Sequence, residues 1–413
     1  MLKLLLIAPG CDGNDVGEAQ LGYQWARSLA RRHDLTVLTY YQRGHVPPSR
    51  QLPDARVAEW AEPPGLHRAD RLNSLLKPGY LPFYFRARAW IRDALARGER
   101  FDVAHQVMPV ALRYPSPAAQ LGLPLIIGPV GGSLESPREF RPEERTSAWY
   151  MGLRRLDQAR LRWDPWLRAT YRGADCVLGI APYVAGLLAG VPVRRFEPVS
   201  DVGLATLPAP AARITPAGEV RLLFVGRVIR TKGTRDAIRA VALIRDLPVR
   251  LDIAGDGFDR QACELEARRL GVAGLVAFHG WLDRAEVELL YRRADIFVFP
   301  SYREPGGTVV FEAMGHGLPM LVSDVGGPGD FVDETCGVRV QPVSPRQYAR
   351  DLATALRRLV TDAELRRRLA DGARRRAGDI GLWDSKVAAV ESIYEQVLAG
   401  RRAVCGAREE RSA

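Results

Sequence analysis

The feature that most constrains this chain is a pattern that occurs twice. A short apolar run is followed by a glycine-bearing turn, an amphipathic stretch and another apolar run. Residues 2–8 form the first run, 9–17 the turn, 18–33 the helical stretch and 35–40 the second run. Runs short enough to be strands, and apolar enough to be buried on both faces, specify a parallel α/β sheet when helical stretches separate them. Short runs at 103–104, 125–128 and 176–180 extend this first unit. Residues 196–219 lack periodicity and are rich in Pro and Ala, which reads as a linker. The pattern then restarts. Strands are expected at 221–226, 249–254, 276–279, 296–300 and 319–323, and helices at 234–245, 259–270, 284–293 and 308–315. Residues 345–378 read as an arginine-rich helix, 383–399 as a last amphipathic helix, and 401–413 as a frayed tail. The expectation is an α/β protein of two doubly wound domains, 1–200 and 201–385. Ligands of such sheets bind at the carboxyl edges of the strands, in a cleft between the domains.

Composition excludes several alternatives. With 413 residues, 47% hydrophobic and 26% charged, the chain is neither disordered nor fibrous, and each half is long enough for its own core. No apolar run is long enough to span a bilayer. The N-terminal run is short and lacks a small-residue cleavage site, which favours a first strand over a signal peptide. Cys11, Cys176, Cys263, Cys336 and Cys405 form no C-x-x-C pair, so neither a disulfide framework nor a zinc site is suggested, and a reducing cytoplasm fits. The six histidines show no metal-ligand spacing, and no Asp-x-Asp is present to hold a divalent ion; no metal and no cofactor are expected. The net charge is +11, of which +8 lies in residues 1–200, and nearly all of the cationic charge is arginine. A basic half points to an acidic partner: nucleic acid, anionic lipid or a phosphorylated substrate.

Two stretches of the second half carry chemistry. In Pro300-Ser-Tyr-Arg-Glu304-Pro-Gly-Gly-Thr308, continuing to Glu312, a strand ends, a glycine loop opens a helix, and two carboxylates stand eight positions apart. Free N–H groups at a helix start suit anionic or hydroxylated ligands, and the carboxylates can accept hydrogen bonds from sugar hydroxyls. A solvated Glu304 and a backbone-bonded Glu312 fit the spacing equally well. In Gly226-Arg227 through Lys232-Gly233, two cations follow a strand end and precede a helix. An arginine fork and a mobile lysine there make a diphosphate clamp. Gly255-Asp-Gly257 is not a dinucleotide fingerprint and reads as a tight turn.

The order Gly226-Arg227, Lys232-Gly233, Ala254-Gly-Asp-Gly257, Phe278-His-Gly-Trp281, Phe299-Pro-Ser301, Glu304-x7-Glu312 and Gly326-Gly-Pro328 resembles the C-terminal domain of GT-B glycosyltransferases of retaining family 4, the glycosyltransferases group 1. The likeness is dense over 220–345 and looser in the first half, at 9–18, 101–105 and 128–132. It implies two facing Rossmann-like domains, with a final helix, 386–400, returning to the N-terminal domain, and domain closure around the donor. It implies a retaining, metal-independent transfer of a sugar from a nucleotide-sugar donor to a glycan or lipid-linked acceptor, in the setting of bacterial surface polysaccharide or glycolipid biosynthesis. Arg227 and Lys232 would then bind the diphosphate. Glu304 would contact donor hydroxyls and Glu312 the ribose. The amides of Gly306, Gly307 and Thr308 would meet sugar or phosphate. Gly226 would end the strand and Trp281 flank the base, while Gly13 and Gly17 would let the N-terminal loop approach the phosphates. Many relatives carry His-x-His where this chain has His105-Gln-Val107; His105 is a candidate contact to the donor sugar, and a structural role is the alternative.

Residues 151–172 carry six arginines, with Leu153, Leu156, Trp163, Trp166 and Leu167 interleaved, and 75–92 add Leu75, Leu76, Phe83, Tyr84, Phe85 and Trp90. Basic aromatic helices of this kind lie on anionic membranes, or else their aromatics are core and their arginines solvated. Peripheral attachment to the inner face of the cell membrane is therefore an expectation. Nucleic acid is not, since helix-turn-helix, zinc-finger and RNP signatures are all missing from the sequence. The other readings are a non-catalytic nucleotide-sugar-binding subunit and an epimerase on the same scaffold.

Overall fold

The computed structural model describes residues 1–15, 17–63, 79–144, 155–209 and 218–412. Leu75, Leu76 and Leu153, and the linker residues from 210 to 217, lie outside these. The chain groups into two compact units. Unit 1 comprises Met1–Ser133, Gly152–Asp201 and Lys386–Ala413, and unit 2 comprises Leu134–Met151 and Val202–Ser385.

Unit 1 holds seven parallel strands: β1 (Lys3–Gly10), β2 (Asp34–Tyr41), β3 (Arg56–Ala61), β4 (Val103–Gln106), β5 (Leu125–Val130), β6 (Cys176–Gly179) and β7 (Phe196–Pro198). Their order is β3-β2-β1-β4-β5-β6-β7. The order reverses at β1, whose neighbours pair Leu4 with Leu35 on one side and with Val103 on the other. Leu4 through Ala8 are buried on both faces, as a central parallel strand requires. The helix Glu18–Ala30 buries Gly22, Trp25, Ala26 and Leu29, one helical face, against this sheet. A Cβ at Gly22 would lie 2.2 Å from the Gly10 carbonyl oxygen, so only glycine lets the helix start so close to the end of β1.

Unit 2 holds six parallel strands: β8 (Val220–Val225), β9 (Val249–Ala254), β10 (Val276–Gly280), β11 (Ile296–Phe299), β12 (Met320–Ser323) and β13 (Gly337–Val340). Their order is β10-β9-β8-β11-β12-β13, the doubly wound order of a dinucleotide-binding sheet. Each unit is thus Rossmann-like. The switch point in unit 2 falls between β8 and β11, the two strands whose following loops carry the candidate clamp and the candidate carboxylates.

Three local features differ from the sequence expectation. The arginine-rich stretch is two helices, Pro345–Thr361 and Ala363–Ile380. They break at Asp362, whose side chain accepts from the Leu365 N–H at 2.8 Å and so caps the second. The last helix does not stop near 400 but runs from Trp383 to Ser412. Residues Leu134–Met151, which sit in sequence between strands of unit 1, group with unit 2.

From Lys386 onward the last helix is part of unit 1. Glu391 pairs with Arg32 at 3.0 Å, and Arg401 pairs with Asp175 at 2.7 Å. Tyr394 reaches His105 under the sheet. The His105 Nε2–H donates to the Gly128 carbonyl at 2.7 Å, which leaves Nδ1 to accept from the Tyr394 hydroxyl at 2.6 Å. The ring is fully buried, and burial lowers its pKa to about 4 against the Gly128 carbonyl, which opposes the shift. His105 is therefore a neutral core histidine with both nitrogens taken by its own chain. No nitrogen is left for a donor sugar, so the expectation of a sugar contact there is set aside.

Because the folded ring resists protonation, its contribution to stability is full above the unfolded value of 6.5 and is lost as pH falls from 6.5 towards 4. The depression corresponds to about 3 kcal/mol. Urea unfolding should show this loss in the wild type between those pH values. His105→Gln, though less stable overall, should lack that part of the pH dependence.

Candidate functional site

The site in unit 2 is assembled by backbone contacts that only glycine permits. Gly226 ends β8 with φ 149°, and its N–H donates to the Ala254 carbonyl at 2.9 Å. A Cβ at Gly255 would lie 2.0 Å from the Gly226 carbonyl oxygen. A Cβ at Gly233 would lie 2.0 Å from the carbonyl oxygen of Pro300 at the end of β11. The Thr231 carbonyl accepts from Ser301 Oγ and from the Tyr302 N–H, each at 3.2 Å. The loop after β8 is in this way clamped to the loop after β11, across the switch point.

This clamp brings Lys232 onto Glu304. Their side chains form an ion pair, both largely buried, and the Lys232 ammonium lies 5.4 Å from the centroid of the Phe299 ring. Burial lowers the Lys232 pKa to about 7, and the neighbouring Arg227 guanidinium adds to the shift. Arg227 is exposed to solvent. Glu304 itself is fixed by the next turn of chain. Its carbonyl accepts from the Gly327 N–H at 3.0 Å, and a Cβ at Gly326 would lie 2.0 Å from that same oxygen. Gly306 and Gly307 then lead into the helix Thr308–Gly315. Gly307 is its N-cap with φ 117°, and no side chain caps it. A positive helix end, an exposed arginine, a buried lysine and its carboxylate partner thus share one edge of the sheet.

Glu312 lies one helical turn further in and is held by a residue the motif did not reveal. The Tyr291 hydroxyl donates to Glu312 Oε2 at 3.0 Å, and the Tyr291 ring stacks on His316 with centroids 5.0 Å apart. Burial raises the Tyr291 pKa, so it stays a donor. Glu312 is bonded to a side chain, not to backbone. Trp281 is 73% exposed, at the end of the edge strand β10. Gly13, Gly17 and His105 belong to unit 1. The Gly13 N–H donates to Gln51 Oε1 at 2.8 Å, and Gly17 takes φ 70° at the start of the first helix. Of the twelve candidate residues, then, seven share the β8 and β11 loops.

The basic stretches of unit 1 divide between core and surface. Phe83, Tyr84 and Leu167 are buried. Trp163 is 79% exposed, Phe85 61% and Leu81 52%. Trp166 bridges the two stretches, donating from Nε1 to the Tyr84 hydroxyl at 3.0 Å with its ring 6.2 Å from that of Phe85. Beside it, Arg162, Arg168 and Arg172 line a hollow of about 700 Å³ with Trp163.

Two Rossmann-like sheets, with a cation–carboxylate pair at the switch point of the second, define an α/β protein of the GT-B class. Comparison with known proteins gives the family. Residues 211–376 match the family described as glycosyl transferases group 1, and residues 19–201 match the glycosyl transferase 4-like domain. The chain belongs to the group 1 glycosyltransferase family. It is 35% identical over 194 residues to a glycogen synthase of Mycobacterium tuberculosis, a match covering 46% of each chain. The match thus spans about half the length of that curated relative. Among solved structures, sucrose-phosphate synthase from Thermosynechococcus elongatus aligns with a TM-score of 0.67 at 21% identity, over 97% of this chain and all of that one. Anabaena HepE in complex with UDP-glucose aligns with a TM-score of 0.56 at 18% identity, over 98% of this chain and all of that one. These likenesses show the fold.

A diphosphate at Lys232, the role expected from the sequence, would favour the charged form of the lysine, and binding would take up a proton above pH 7. Affinity for the tightest of UDP, GDP and ADP should fall above about pH 7, with a limiting slope of about tenfold per pH unit. Lys232→Arg, which stays charged, should flatten that fall in calorimetric titrations.

Proposed function

We propose that this protein is a retaining, metal-independent glycosyltransferase that moves a sugar from a nucleotide-diphosphate donor to a glycan or lipid-linked acceptor. The observation that carries the reading is the Lys232–Glu304 pair at the switch point, beside the exposed Arg227. In this reading the diphosphate takes Lys232 from Glu304 and lies between Lys232 and Arg227, with the Gly307–Thr308 helix end adding partial positive charge. Glu304, released from the lysine, accepts hydrogen bonds from the donor sugar. Glu312, oriented by Tyr291, accepts from the ribose. The acceptor hydroxyl oxygen bonds to the anomeric carbon on the face from which the phosphate oxygen departs. Its proton passes to that leaving oxygen, so configuration is retained and the cations absorb the charge left on the nucleotide. The HepE complex with UDP-glucose, on the same fold, supports a nucleotide-sugar donor.

The acceptor side of the proposal rests on unit 1. Exposed Trp163, Phe85 and Leu81 beside Arg162, Arg168 and Arg172 match the composition of a surface that lies on anionic headgroups. Among the described residues no helix is long and apolar enough to cross a membrane. We therefore place the enzyme peripherally, on the cytoplasmic face of the cell membrane, in surface polysaccharide or glycolipid assembly.

Nucleotide release from a panel of UDP-, GDP-, ADP- and TDP-sugars, with and without EDTA, tests the reading directly. One donor should be turned over, at a rate EDTA leaves unchanged. Lys232→Ala and Glu304→Ala should each lower turnover at least about tenfold, or about 1.4 kcal/mol of transition-state stabilisation; wild-type rates in both would sink the site assignment. In flotation at physiological salt, the protein should bind vesicles containing phosphatidylglycerol and not pure phosphatidylcholine. The double change Phe85→Ala, Trp163→Ala should weaken that binding about tenfold.

A further inference from the structure

The segment Leu134–Glu144 does something its place in the sequence does not suggest. It follows β5 of unit 1, yet it packs on the two loops that carry Lys232 and Glu304. At one end, a Cβ at Gly326 would meet Leu134 Cδ2 at 3.0 Å as well as the Glu304 carbonyl oxygen, so Leu134 covers the turn that fixes Glu304. At the other end lies the short helix Arg138–Glu144. Its Phe140 is fully buried, with its ring 4.3 Å from that of Tyr302 and 5.9 Å from that of Tyr348. Its Glu143 reaches Arg230, two residues before Lys232.

Arg230 is the centre of this contact. Its guanidinium is 2% exposed and lies against the packed Phe140–Tyr302 ring pair, 5.5 and 5.3 Å from their centroids. Nε donates to Glu143 Oε2 at 2.8 Å, and the two terminal nitrogens donate to Asp236 at 2.6 and 3.1 Å. Arg239 closes the network, donating to Glu143 at 3.2 Å and to Glu266 at 2.8 Å. Burial works against charge on Glu143, but the two arginines outweigh it and hold its pKa below the usual range. A buried arginine is tolerable only with its partners in place, because removing one leaves uncompensated charge. Arg230 also belongs to the turn Arg230–Lys232, whose Thr231 carbonyl ties down Ser301 and Tyr302.

We propose that Leu134–Glu144 is a strap that positions the donor site. Through Glu143 and Phe140 it fixes Arg230 and Tyr302, and through them the contact between Lys232 and Glu304. Arg230, Glu143 and Phe140 are positioning residues. The proposal rests on the reading that Lys232 and Glu304 hold the donor, but its test does not need the donor.

The chain has four lysines, Lys3, Lys77, Lys232 and Lys386. Lys3 is exposed, Lys232 is largely covered by the pair, and Lys386 is buried in unit 1. At pH 8, above the lowered titration of Lys232, acylation by an N-hydroxysuccinimide ester reports access to each amine, read by peptide mass spectrometry with Lys3 as reference. In Glu143→Gln and in Phe140→Ala, Lys232 should label at least about threefold faster while Lys386 stays at its wild-type rate. Phe140→Leu, which keeps the buried contact, should restore the slow rate. Unchanged Lys232 labelling in both variants, or a parallel rise at Lys386, would overturn the proposal. If the wild type binds none of UDP, GDP and ADP, the donor reading fails and the labelling result stands apart from it.

Discussion

The carboxyl edge of unit 2 depends on backbones approaching closer than any side chain allows. At Gly233, Gly255, Gly326 and Gly327 an added Cβ would fall 2.0 to 2.3 Å from a carbonyl oxygen of another loop. Each glycine costs conformational entropy on folding, about 1 kcal/mol relative to alanine. What that cost secures is rigidity without bulk. The loops after β8 and β11 are tied to each other and to the turn at Gly326. Lys232 and Glu304 meet because their backbones are held.

How legible this was in the sequence follows from how local each signal is. Central strands announce themselves because both faces are buried: 249–254 was expected and is found as Val249–Ala254. The helices Arg284–Arg293 and Thr308–Gly315 likewise have the expected bounds. Arg56–Ala61 escaped because it is an edge strand, only partly buried, with Glu59 interrupting its apolar run. The break at Asp362 escaped because periodicity continues across it, although aspartate is among the residue types favoured at a helix N-cap. In the site, the order of Arg227, Lys232, Glu304 and Glu312 was readable from glycine and charge. Arg230, Phe140, Glu143 and Tyr291 were not, since their meaning lies in partners: Arg230 and Glu143 are 87 positions apart.

His105 shows the opposite error. A histidine near a strand end invites a ligand role, and its actual partner, Tyr394, is 289 positions away. The deciding physics is burial. A fully enclosed imidazole stays neutral, and its two nitrogens need one donor and one acceptor. Tyr394 and the Gly128 carbonyl supply them. The residue that resembled a piece of the site instead pins the returning helix to the sheet, so unit 1 is completed by the chain's last helix as well as by Met1–Ser133 and Gly152–Asp201.

The choice of lysine at position 232, in a chain that uses arginine almost everywhere else, is itself informative. Several arginines of unit 2 are spent on carboxylates: Arg230 on Asp236 and Glu143, Arg235 on Asp259, Arg357 on Asp246. An arginine at position 232 would keep its charge at every pH and would need a matching set of acceptors in a mostly buried setting. A lysine whose pKa burial has brought to about 7 needs fewer. It rests against a single carboxylate, and in the proposed function it would become fully charged when a diphosphate arrives. The positive charge would then be largest when the ligand is present, which is the condition under which it could also stabilise a departing nucleotide.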